Sequence, residues 1–507
     1  MKKIINIIFS FFIALFANSQ NKPNIILILA DDLGYGDLSC YGASLVKTPN
    51  IDRLAKEGIR FTNAYSPHSV CTPSRYALMT GQYAWRTWNG HQTVWSNDPL
   101  IIDTARMTLP KMLKSVGYKT AIIGKWHLGF GTPGSPGWDD LKGPDYNKEL
   151  RPGPLEVGFD YFWGIPHVGQ KPHVFIENHH VIGVDKEKKM EILLDKKWNN
   201  RISYIQRIGV PDHDFIVNES VQYDNEKLAV ILTEKAVNWI EKQNENPFFL
   251  YFAHRNVHGP ITPSEKFKGT SNIGVYGDFI NELDWSVGEI VNVLKRKGLL
   301  ENTIILFSSD NGGVRYPQKT QIVDYNGHKP NGPFSGQKGG ALEGGVHVPL
   351  IVRWPGTTKS ESVSQQLVAL SDVFATFADY YNISLPYNAG EDSFSFLNEL
   401  KEKKSHYPSR QSVVVDSKNG IFAIRKGPWK FIAGQTSGGY DWDEESNIRM
   451  ITHKWDYMPK NGNPPGQLYN LANDSGETIN LYDSHPEIVI QLRDILREIQ
   501  YSGRSHK

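Results

Sequence analysis

Asn24-Ile25-Ile26-Leu27-Ile28-Leu29-Ala30, closed at once by Asp31-Asp32, is the stretch on which the fold reading rests. A short, nearly continuous apolar run bounded by polar residues fits a strand covered on both faces, as in a parallel sheet flanked by helices. The same pattern returns at Thr120–Ile123 (TAII), Phe248–Phe252 (FFLYF), Thr303–Phe307 (TIILF) and Leu350–Val352 (LIV). All five are expected to run parallel. Helical patterns lie between them. Thr48-Pro49 reads as N-cap and first-turn proline of a helix with Ile51, Leu54 and Ala55 on its apolar face and Gly58 behind it. A second helix is expected from Leu109-Pro110 to Gly117, and a third carries Phe279, Leu283, Val287, Val291 and Leu294 before Gly298. This alternation predicts an α/β fold: a large, mainly parallel or mixed sheet sandwiched by helices.

The character changes after about residue 385. Strand-like runs follow at Ser412–Val415, Ile421–Arg425, Trp429–Ile432 and Gln467–Leu471, and a last amphipathic helix carries Ile488, Leu492, Ile495, Leu496 and Ile499. The expected division is a leader over 1–19, a large domain over 20–385 and a smaller α+β domain with an antiparallel sheet over 386–507. The polar stretch from Gly131 to Asp214, rich in Pro, His and Trp, reads either as a surface insertion or as a wall of a substrate cleft.

Of the 507 residues, 12% are aromatic and 21% charged, which excludes a disordered or low-complexity chain. The 55 basic and 54 acidic residues balance, which removes the general electrostatic case for a nucleic-acid partner. At the start, Lys2 and Lys3 precede an apolar run from Ile4 to Ala17, and small residues follow. This is the pattern of a secretory signal peptide, too short to span a bilayer. A periplasmic or secreted protein is expected, with no membrane partner once the leader is removed. Only two cysteines, Cys40 and Cys71, are present. A bridge between them would be the ordinary reading in an exported protein, but the surroundings of Cys71 argue for another use.

Three of the expected strands end in polar residues. Asp31-Asp32 follows the first, Gly124-Lys125-Trp126-His127 the second and Asp310-Asn311-Gly312-Gly313 the fourth. In open α/β sheets ligands bind beyond the carboxyl ends of the strands, so these groups converge on one place. Residues 71–81, Cys-Thr-Pro-Ser-Arg-Tyr-Ala-Leu-Met-Thr-Gly, place a small nucleophile at a helix start, where anions are favoured.

That last stretch resembles the signature of the formylglycine-dependent sulfatase family, C-x-P-S-R followed by T-G. The relatives it calls up are arylsulfatases and N-acetylgalactosamine-6-sulfatases within the alkaline-phosphatase-like superfamily. Leu29–Asp37, Ser309–Gly312, Gly124–Gly129, His254–Pro260, Gln337–Val346, Leu468–Leu471 and Gly476–Leu481 also resemble family elements, so the likeness covers nearly the whole chain after the leader. The family usually has Arg where this chain has His347, which puts a local structural contact in doubt.

The resemblance implies that a maturating enzyme converts Cys71 to formylglycine, an aldehyde that hydrates to a geminal diol. It implies one calcium ion held by Asp31, Asp32, Asp310, Asn311 and the modified Cys71; hard oxygen donors suit Ca²⁺ better than zinc. By the same likeness one diol hydroxyl attacks sulfur, while Arg75, Lys125 and Lys338 direct positive charge at the sulfonate oxygens. His258, with Lys338, protonates the departing sugar oxygen, and His127 then removes the proton that lets sulfate leave. His254 matches less well and is expected only to orient its neighbour. His91, His173, His179 and His180 are assigned no role. The implied substrate is a sulfated carbohydrate, with Trp85, Trp88, Trp126 and Trp163 as candidate stacking surfaces or core residues. A phosphonate monoester or phosphodiester hydrolase and an inactive sulfated-glycan-binding protein stay open as alternatives.

Overall fold

The computed structural model describes residues 22–506 apart from 141, 169–171, 187–188, 195–212, 217–221, 245, 316–324, 402–408, 444–447 and 452–461. The expected signal peptide lies outside the described residues. The NIILILA run forms β1 (Asn24–Ala30), every residue of it buried. Ile25, Leu27 and Leu29 enter one apolar core and Ile26, Ile28 and Ala30 another, because successive side chains of a strand point to opposite faces.

In chain order the sheet continues with β2 (Ile59–Phe61), β3 (Lys119–Lys125), β4 (Tyr161–Ile165), β5 (Ile176–Glu177), β6 (His180–Val181), β7 (Phe248–Ala253), β8 (Thr303–Ser309), β9 (Leu350–Arg353) and β10 (Ser362–Ser364). Their order across the sheet is β10-β2-β9-β8-β1-β7-β3-β4-β5-β6. The five central strands, β8-β1-β7-β3-β4, are parallel.

Two expectations need correction. Leu350–Val352 is a strand, but β9 runs antiparallel to β8. Asp310 lies at the carboxyl end of β8, and no long crossover helix lies among the described residues between β8 and β9, only the turn Glu343–Val346. A parallel return would need such a crossover. The Gly131–Asp214 stretch is neither a pure insertion nor only a wall, because it supplies the fifth central strand, β4. YFWGI lacks the aliphatic run that marks the others. Its Gly164 packs so closely on Gly124 that a Cβ there would stand 1.8 Å from the Gly124 carbonyl oxygen.

Helices cover both faces. On the side of Ile25, α2 (Cys71–Thr80), α3 (Leu109–Ser115) and α6 (Asp372–Tyr380) pack through Leu78, Met112, Leu113, Phe374 and Phe377. On the side of Ile26, α1 (Pro49–Lys56), α4 (Asn225–Glu241) and α5 (Gly274–Arg296) pack through Leu54, Leu232, Leu283 and Val287. Thr48 precedes α1 as expected, yet its hydroxyl donates to Asp52 (2.9 Å). The free backbone N–H groups of Asn50 and Ile51 are accepted instead by Asp284 of α5, at 3.0 and 2.9 Å. One helix thus caps another.

The smaller antiparallel sheet is β11 (Ser412–Asp416), β12 (Phe422–Lys426), β13 (Trp429–Ile432) and β14 (Gln467–Asn470), paired in that order. Helix α7 (Pro486–Tyr501) covers one face with Val489, Leu492, Leu496 and Ile499. The other face packs on Tyr65, Val346 and Ala369 of the larger part. Among the described residues no helix is long and apolar enough to cross a membrane.

Candidate active site

Beyond the carboxyl ends of β1 and β8, Asp31, Asp32, Asp310 and Asn311 come together, all at most 1% exposed. Cys71 opens α2, which is buried along its whole length and points its N-terminus at these carboxylates. The Cys71 Sγ lies 3.3 Å from Asp31 Oδ1 and 3.9 Å from Asp32 Oδ1. Arg75, one helical turn on, donates from Nε and Nη2 to Asp310 Oδ2 (2.9 and 2.7 Å) and reaches Asp31 at 3.5 Å. Its Nη1 donates to the Lys125 carbonyl and the Tyr251 hydroxyl. The guanidinium is enclosed by these partners, so it acts on the pocket through Asp310 and through its charge.

Lys125, at the end of β3 and fully buried, donates to Asp31 Oδ2 (2.7 Å). Lys338 arrives from the loop after β8; its Nζ lies 3.2 Å from Cys71 Sγ and 2.5 Å from Asp32 Oδ1. Asn311 donates to Asp32 Oδ1 (2.8 Å) while its own Oδ1 is buried without a hydrogen-bond partner among the described residues. His258 Nε2 stands 3.7 Å from Asp32 Oδ2. His127 follows β3 with φ 59°, and Thr72, next to Cys71, donates to its carbonyl (3.0 Å). The ten residues expected at the site are therefore gathered in one place.

The charges explain one another. Burial opposes ionisation of Asp31, but Lys125, then His258, Arg75 and Lys338, hold its carboxyl well below the usual range. Asp310 moves the other way, up to about 6, through burial and its neighbour Asp31. Burial, helped by Asp310, pushes the Cys71 thiol up. Burial, with Lys338 and Lys125, pushes the His258 imidazole down to about 4, and burial with Lys125 holds His127 well below the ordinary histidine value. A converging set of carboxylates plus an amide oxygen with no partner among the described residues fits a hard divalent cation.

Other expected residues have plain structural uses. His254 bonds Ser286 Oγ (3.1 Å) and accepts from the Asn256 N–H (3.1 Å), which orders the segment leading to His258. His347 bonds Glu343 and the Thr62 carbonyl (2.8 Å each) and stacks on Phe334. Trp126 is fully buried, Trp163 stacks on Phe175, and Trp85 packs against Tyr83 and Phe422. Trp88 alone of the four is largely exposed, at 60%. Sequence reading passed over His167, which lies beside His127 (ring centroids 6.1 Å apart). The overlooked signal was Ile165-Pro166-His167: a strand ended by a polar residue, as at the other sites. His91, given no role, hydrogen-bonds Asp416 Oδ2 through Nδ1, and His68 Nε2 lies 3.4 Å from the same oxygen.

A sheet of this topology with a cysteine-headed helix aimed at clustered acids defines an alkaline-phosphatase-like hydrolase of the sulfatase type. The chain belongs to the sulfatase family: the family profile named Sulfatase matches residues 23–383. It is 40% identical to an N-acetylgalactosamine-6-O-sulfatase of Bacteroides thetaiotaomicron over 510 residues, covering 95% of this chain and 94% of that protein. It is 31% identical to the N-acetylgalactosamine-6-sulfatase of Mus musculus over 482 residues, covering 93% and 80%. A solved sulfatase structure from work on glycosaminoglycan metabolism by Bacteroides thetaiotaomicron superposes with a TM-score of 0.81 at 38% identity, covering 95% of this chain and 99% of that one. The chain is an enzyme, a sulfuric ester hydrolase.

Proposed function

We propose that this sulfatase is calcium-dependent, acts through formylglycine at position 71, and removes sulfate from a sulfated carbohydrate in the periplasm or outside the cell. The names of its relatives point to the 6-sulfate of N-acetylgalactosamine, and the glycosaminoglycan setting of the solved relative points to such a chain as the substrate. The observation that carries the reading is the joint contact of Cys71 Sγ with Lys338 Nζ at 3.2 Å and Asp31 Oδ1 at 3.3 Å. Position 71 thereby touches both a cation for the substrate and a ligand for the ion. A buried, protonated thiol is a weak nucleophile. Formylglycine, made by a maturating enzyme, would supply a hydrated-aldehyde oxygen there instead. Calcium held by Asp31, Asp32, Asp310, Asn311 and position 71 would supply a Lewis acid and a template.

The chain's own residues do the rest. Lys125 and Lys338 bring positive charge to the sulfonate oxygens, and Arg75 holds Asp310 in place. His258, on the rim of the pocket, hands a proton to the leaving sugar oxygen. A bound sulfate monoester, being anionic, would favour the protonated form of His258. His127 takes the proton at position 71 in the second half of the reaction.

The test is a paired assay of matured protein with N-acetylgalactosamine 6-sulfate and a phosphonate monoester. Sulfate release should dominate, chelation should abolish it, and calcium should restore it better than zinc. Faster phosphonate cleavage would replace the sulfatase reading with the phosphonate hydrolase one, and full activity in metal-free protein would remove the ion.

A further inference from the structure

Four of the five central parallel strands end in pocket residues: β1 in Asp31 and Asp32, β3 in Lys125 to His127, β7 in the segment to His258, and β8 in Asp310 and Asn311. The fifth, β4, ends in Ile165-Pro166-His167. Past the sheet the β3 and β4 ends stay paired, since the N–H groups of Trp126 and His127 donate to the carbonyls of Ile165 (3.0 Å) and Pro166 (2.8 Å). That pairing sets the His167 ring beside the His127 ring, with centroids 6.1 Å apart and planes at 57°.

We propose that His167 is the positioning residue of His127, accepting the Nδ1–H of that ring and so keeping its Nε2 free as a base. The inference rests on the reading of His127 as the group that takes the proton at position 71. Both rings have a buried Nδ1 with no hydrogen-bond partner among the described residues. An unpaired buried polar atom costs about 1–3 kcal/mol, and each ring offers what the other lacks. A direct N–H···N bond needs the rings slightly closer, a movement within side-chain reach.

The proposed direction follows from taking Ser96 Oγ as the acceptor of His167 Nε2–H. His167 Nε2 bonds Ser96 Oγ at 2.5 Å, and the Ser96 carbonyl is held by the Tyr146 hydroxyl (3.0 Å). With its one proton on Nε2 toward Ser96, neutral His167 presents a lone pair at Nδ1. His127 then donates from Nδ1, and its remaining lone pair is on Nε2. Burial and Lys125 keep both rings neutral, with His167 pushed down to about 3. This is the logic of the base and its orienting partner in hydrolytic triads, with a neutral imidazole in place of a carboxylate.

Nitrogen NMR of the imidazole rings tests the pairing in protein that still carries Cys71. His127 should be the Nδ1–H tautomer in the parent, a mixture in His167→Ala, and Nδ1–H again in His167→Asn, whose amide oxygen can accept where Nδ1 stood. In matured enzyme, His167→Ala should lower kcat by roughly 10- to 100-fold with KM nearly unchanged, a neutral partner being worth less than the carboxylate of a triad. Sulfate should be retained on the active-site peptide, and His167→Asn should recover most of the rate, with thermal unfolding confirming that each variant folds. An unchanged His127 tautomer overturns the proposal, as does a KM increase with kcat intact, which would make His167 a substrate contact. If the tautomer responds but parent enzyme cleaves no sulfate ester, the pairing stands and the sulfatase reading of this site falls.

Discussion

The pocket beyond the large sheet and the junction between the two sheets are both built from buried ion pairs, yet they are organised differently. In the pocket, Asp31, Asp32 and Asp310 face Arg75, Lys125 and Lys338. At the junction, Glu343 and Glu477 share Lys430 at 2.8 Å each, and Glu343 also binds the Tyr65 hydroxyl (2.5 Å) and His347, with Arg425 on Tyr65. Formal charges balance in both. The junction is closed: Lys430, Glu343 and Glu477 are at most 1% exposed as side chains. The pocket keeps a mouth, with the His258 side chain 21% and the Lys338 side chain 11% exposed, and an amide oxygen without a partner among the described residues. A divalent cation added there leaves an excess of two positive charges, which draws an anion. Burial of charge alone therefore does not mark a site; an unfilled acceptor oxygen beside an opening does.

The largest expected effect isolates the pocket. Cys71→Ala should bring sulfate release to background, because it removes the group proposed to carry the nucleophile. Thermal unfolding should hardly move, and a large drop in melting temperature would mean that the pocket also stabilises the fold through this residue. Lys430→Met should do the reverse. Removing the cation that Glu343 and Glu477 share should cost about 3–5 kcal/mol in chemical denaturation, with turnover per folded molecule unchanged. A stable but inactive Lys430→Met protein would erase the distinction between the two regions.

The smallest effect is a pH dependence. Burial raises the Glu477 carboxyl from its ordinary 4.5 to about 7, and repulsion from Glu343 adds to this. A proton held more tightly in the folded state stabilises it fully below about pH 4.5, and that contribution is lost as pH rises through about 7. Stability of the parent should fall over this window by at most about 3 kcal/mol, and Glu477→Gln should flatten the curve. Denaturation midpoints of both proteins between pH 4.5 and 8 decide it.

Much of this was legible in the chain. NIILILA, FFLYF and TIILF were legible as strands because a short apolar run between polar residues fits a strand buried on both faces, as in a helix-covered sheet. The cysteine-headed motif and the paired acids announced themselves by residue type. What escaped was β4, whose aromatic and glycine content carries no aliphatic signature, and with it His167. The direction of β9 escaped too, since the sequence of a short strand says that it is buried but not which way it runs.

By itself, the sequence determined which segments are buried and which residues are candidates for the chemistry, because hydrophobic period and functional-group type are local properties. Only the tertiary structure decided that Arg75 is enclosed by Asp310, Asp31 and Tyr251, that Asp284 of α5 caps α1, and that the His127 and His167 rings lie with centroids 6.1 Å apart. These contacts join residues tens to hundreds of positions apart, and their closeness follows from strand order and backbone pairing, which no single segment encodes.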